Sequence, residues 1–126
     1  MKQITKVLDV YNDMHHFSFD TKIEVQITSR DYWVKVVEFL QQNWALVDPN
    51  NEGGFTVYFL SDVGGVFDEL NFNSIEEAES ALIRNGFSRY EDDKKLQEFL
   101  CKPTKYTLHI FPHPNGPIYS SGDFWI

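Results

Sequence analysis

The stretch Phe55-Thr-Val-Tyr-Phe-Leu-Ser-Asp-Val-Gly-Gly-Val-Phe-Asp-Glu-Leu-Asn-Phe72 decides the fold. Its two runs FTVYFL and VFDELNF are rich in β-branched and aromatic residues, which favour extended backbone. They flank Ser61 to Gly65, where a glycine pair permits a tight reversal. The pattern predicts a β-hairpin.

Toward the N-terminus, Asp48 to Gly54 collects the turn formers Pro, Asn and Gly and predicts a loop. Before it, Trp33, Val36, Val37 and Leu40 fall on one side of a 3.6-residue helix, with Lys35, Glu38 and Gln42 opposite. Ser29 or Asp31 stands where a cap belongs, so a helix packed on the sheet is expected. Earlier still, Phe17, Phe19, Ile23, Val25 and Ile27 are apolar with mostly polar residues between them, the period-two signature of a strand with one wet face.

Toward the C-terminus, Ser74 and Glu77 have the spacing of a capping box and open a helix over about Ile75 to Asn85, which Gly86 is suited to end. A second short helix is expected near Asp92 to Leu100, with acids at its N-terminal end and Pro103 just past its stop. The segments YTLHIF and PIYSSGDFWI, separated by a turn rich in Pro, Asn and Gly, read as a closing strand pair. The resulting order β-α-β-β-α-α-β-β predicts an α+β protein: a single layer of mostly antiparallel sheet with two or three helices packed on one face. No repeat, low-complexity tract or linker divides the chain, so residues 1–126 read as one domain.

A chain of 126 residues buries roughly two thirds of its unfolded surface and needs no staple. None is offered, because Cys101 is the only cysteine and cannot close an internal bridge. The first residues, MKQITKVLDVYND, contain neither the apolar core of a signal peptide nor a lipidation motif, and no apolar run reaches membrane-spanning length. The cytoplasm is the expected location.

Charge narrows the partner. The net charge of −8 argues against nucleic acid and anionic membrane, which are held by clustered Lys and Arg. The charge is also uneven. Asp62 to Asp93 hold nine acids against Arg84 and Arg89, a net of −7, while the rest of the chain sums to −1 and Lys94 to Ile126 to +2. On a helical wheel from Ile75, the apolar side is built by Ile75, Ala78, Ala81 and Leu82. Glu76, Glu77, Ser80 and Arg84 then face water. Such a carboxylate face attracts a cationic surface, speeds encounter and weakens as salt rises; its plainer reading is a solvated face that keeps the protein soluble.

Catalytic patterns are sparse. His109 and His113 are spaced H-x3-H, but on a strand entering a proline turn, where helical zinc geometry does not apply; His15 and His16 add no third ligand of fixed position. Cys101 follows the end of a helix rather than its start, and reads as a buried structural thiol. The carboxylates Asp68-Glu69 and Glu91-Asp92-Asp93 suit acid–base or magnesium chemistry only if folding joins them. Gly64-Gly65 is a turn signal, and no G-x-S-x-G, P-loop or C-x-x-C occurs. The pattern calls for no catalytic residue, metal or cofactor. In the terminal Pro117 to Ile126, serines and a glycine interrupt a strand-like run, while Tyr119, Phe124 and Trp125 are placed to anchor the chain end on a core.

The acidic stretch from Glu76 to Asp93 and the ending PIYSSGDFW resemble the immunity proteins of bacterial polymorphic-toxin and contact-dependent inhibition systems, small acidic cytosolic proteins rich in aromatics. Aromatic residues make up 16% of this chain, which agrees with that description. The resemblance implies stoichiometric inhibition, in which an acidic face covers the cationic cleft of a toxin domain. The residues it points to are Glu69, Glu76, Glu77, Glu91, Asp92 and Asp93, with Tyr90 as an aromatic anchor. The partner expected is therefore a basic protein domain, bound by a monomer or small homo-oligomer. A small metal- or carboxylate-dependent hydrolase and an oligomeric accessory protein are the alternatives.

Overall fold

Near-continuous burial along the central strands, on both faces of one sheet, organises the molecule. The computed structural model describes residues 23–38, 41–104 and 108–110. In chain order they form β1 (Glu24–Val25), β2 (Trp33–Glu38), β3 (Gln41–Pro49), β4 (Phe55–Ser61), β5 (Gly65–Phe72), α1 (Ile75–Arg84), β6 (Ser88–Arg89), a 3-10 turn (Tyr90–Asp92), α2 (Lys94–Phe99) and β7 (Leu108–Ile110). The strands make one seven-stranded sheet in the order β1-β7-β5-β4-β3-β2-β6. Every pairing is antiparallel except β5 with β7, so the sheet is mixed and the class is α+β.

The expected hairpin forms. Gly64, at φ +87°, closes the reversal, and its N–H donates to the Ser61 carbonyl at 2.9 Å. The pairing runs from Phe55↔Phe72 to Phe59↔Asp68 and then shifts to Leu60↔Val66, leaving Phe67 as the extra residue of a β-bulge. The bulge puts Phe67 and Asp68 on the same side as Phe59, while Glu69 points to the other. The loop expected over Asp48 to Gly54 is shorter than the composition implied: Asp48 and Pro49 belong to β3, and the reversal is Asn50 to Gly54. Asn50 Oδ1 accepts from the N–H groups of Glu52 and Gly54 at 2.9 and 3.0 Å. Asp48 reaches the opposite way, accepting from the N–H groups of Thr28 and Ser29 at 2.6 and 2.9 Å.

The helix expected over Trp33 to Gln42 is not there; β2 and β3 pair instead, with Trp33↔Ala45 and Val34↔Trp44 in register. Trp33 and Val34 are adjacent and both buried, at 4% and 1% exposure, because this strand is covered on both faces at that point. The β-branched Val34 and Val36 suit extended backbone, and the helical periodicity of the segment is coincidental.

Two cores result. One face gathers Tyr32, Val34, Trp44, Leu46, Leu60, Val66 and Leu108. The other gathers Trp33, Ala45, Val47, Val57, Phe59 and Phe67 with Ala78 and Leu82 of α1. Leu96 of α2, with Tyr90 and Leu100 flanking that helix, packs against the first core. The helices therefore cover opposite faces, correcting the expectation of one helical face and of β-α-β-β at the start. With aromatic and branched side chains on both sides of every central strand, both faces need a lid.

Helix α1 starts where expected. Ser74 Oγ accepts from the Glu77 N–H at 3.1 Å, while Glu77 Oε1 accepts from the Asn73 N–H at 3.3 Å, one residue earlier than in the simple capping box. Its exit runs through Asn85 and Gly86, whose φ of +95° is the left-handed conformation favoured by glycine. Helix α2 begins two residues later than expected, because Tyr90 to Asp92 take up the 3-10 turn and Asp93 caps through a bond from the Leu96 N–H at 3.0 Å. No helix among the described residues is long and apolar enough to cross a membrane. Of the strand expected from Phe17 to Ile27, β1 is the described part; Phe17, Phe19, His15, His16, His113 and the PIYSSGDFWI segment lie outside the described residues.

Candidate partner-binding surface

The outer strip of α1 is where the sequence placed it. Ala78, Ala81 and Leu82 are buried, so the helical rotation turns Glu76, Glu77, Ser80, Ile83 and Arg84 outward. Glu76 and Glu77 stand in the first turn, where the helix dipole favours negative charge. Beneath the strip runs a groove of about 390 Å³, lined by Glu76, Glu77, Ser80 and Arg84 and by Phe72 at the end of β5. Ile83 is 64% exposed within this polar strip. It was missed from the sequence, although the same wheel places it between the directions of Glu76 and Glu79.

Next to the strip, at the β6 edge of the sheet, Arg89 gathers three acids: Asp31 from the segment before β2, Glu79 of α1 and Asp92 of the 3-10 turn. It lies opposite Trp33 in the ladder, with its guanidinium 4.9 Å from the indole centroid. Nη2 bonds Glu79 of α1 at 2.7 Å, Nε lies 3.1 Å from Asp31 and Nη1 lies 4.0 Å from Asp92. The Asp31 contact is an ion pair without hydrogen-bond alignment, since Nε has no acceptor in line with its hydrogen. These partly exposed pairs are each worth about 0–1 kcal/mol. Their effect is to join Glu79 and Asp92 through one cation.

The other acids singled out by the sequence have separate surroundings. Glu91 pairs with Lys102 at 3.1 Å on the α2 side, and Asp93 caps α2. Glu69 is 7% exposed, facing Tyr58 across the hairpin, and so is no part of a water-facing surface. Burial first, then the charges of Glu69 and Asp48, raise the Tyr58 hydroxyl above its ordinary pKa. Tyr90 is turned inward: its ring meets Trp44 at 5.4 Å, its hydroxyl donates to the Leu100 carbonyl at 2.6 Å, and its N–H donates to the Tyr32 carbonyl at 2.9 Å. Among the described residues, the large aromatic that faces solvent is Phe99, at 75% exposure.

Candidate chemistry is dispersed. Asp68 and Glu69 are both buried but, as successive residues of a strand, point to opposite faces. His109 lies in β7 between Glu24 of β1 and Gly65 of β5. Among the described residues, no group of three or more His, Cys, Asp or Glu is arranged to hold a metal ion. Cys101 is exposed rather than buried, because Leu100 and Pro103 occupy the inward positions of the chain leaving α2.

The fold and surface define an α+β protein with a seven-stranded mixed sheet and an acidic strip on its first helix. No protein-family model, curated protein or solved structure matches the chain.

Proposed function

We propose that the chain is a stoichiometric binding protein of the immunity type, which neutralises a basic toxin domain by laying the outer strip of α1 over its active or substrate-binding surface. The observation that carries this reading is Ile83, an exposed apolar side chain on the outer side of α1 beside Glu76, while Glu76 and Glu77 line a groove that ends at Phe72. An apolar anchor within a charged rim is the arrangement in which a few residues supply most of the binding energy. The carboxylates steer a cationic partner and set register, while Ile83 supplies contact area. Asp92 extends the strip through the Arg89 bridge to Glu79. Glu91 and Asp93 stay outside the covered surface, the one held by Lys102 and the other capping α2.

The test is capture of the partner from lysate of the source cells, followed by titration calorimetry with the purified toxin domain. One-to-one binding that inhibits the toxin, and that weakens at least tenfold in the Glu76→Lys, Glu77→Lys double variant at unchanged fold, is the expected result. Equal affinity after reversal removes the strip from the mechanism.

A further inference from the structure

We draw no further inference here: the strongest candidate, the two buried donors Tyr32 Oη and Trp44 Nε1 set edge to face in the core under α2, carries nothing because nothing among the described residues shows what would meet them.

Discussion

The first helix and the segment from Tyr90 to Leu100 are both acidic at their starts, yet they treat their acids differently. On α1, the Glu76 and Glu77 side chains lie in water at the mouth of a groove, and only Glu77 is drawn on, for one backbone amide. In the later segment, Asp93 caps a helix, Glu91 holds Lys102 and Asp92 approaches Arg89. Equal charge in the sequence thus divides into acids placed for an outside partner and acids that hold local structure. The cause is the sheet, whose two apolar faces send one helix to each side.

The largest effects expected are those that contrast neighbours. Leu82→Ala removes a fully buried side chain between α1 and the sheet and should cost about 2–5 kcal/mol in denaturant unfolding, whereas Ile83→Ala, one residue on, should stay within about 0.5 kcal/mol. A large loss at Ile83 would mean that the strip is structural. On the other face, Tyr90→Phe deletes the bond to Leu100 while keeping the ring on Trp44, and should cost about 0.5–1.5 kcal/mol. Asp93→Ala removes the α2 cap at a cost of about 1 kcal/mol, while Glu76→Gln should lie within about 0.5 kcal/mol; unfolding curves that reverse this order would erase the distinction between the two regions.

The smallest effect is at Tyr32. Its buried hydroxyl meets no partner among the described residues, so Tyr32→Phe should be neutral or slightly stabilising, and a thermal melt showing a clear loss would point to an acceptor elsewhere in the chain. Alkaline pH tests the same core. Burial raises the hydroxyls of Tyr32 and Tyr58 above the ordinary tyrosine value of 10.0, so the folded chain holds these protons longer than the unfolded one. Stability from this source is full below pH 10.0 and is lost as pH rises through the higher folded values. Tyr58→Phe should flatten the decline in unfolding free energy above that pH.

The parts of the fold legible in the sequence are those with local signals. Gly64, Ser74 and Gly86 each mark a reversal or helix end by backbone conformation or capping, and the hairpin and α1 follow them closely. The segment from Trp33 was misread because its valines satisfy two periods at once, and only the lid on each face of the sheet selects the strand. The helix positions of Glu76 and Glu77 were readable for the same local reason as the cap. The face taken by Glu69 was not, since it depends on a bulge at Phe67 that reverses the direction of every later side chain on β5. The Arg89 bridge joins residues far apart in the chain, and no local pattern announces it.

Carbodiimide labelling of carboxylates, read by mass spectrometry in the isolated chain and in its complex with the toxin domain, tests the assignment of α1 most directly. Modification of Glu76 and Glu77 should fall sharply in the complex while Glu91 keeps its reactivity. Protection of Glu91 and Asp93 with Glu76 and Glu77 still fully labelled would contradict it.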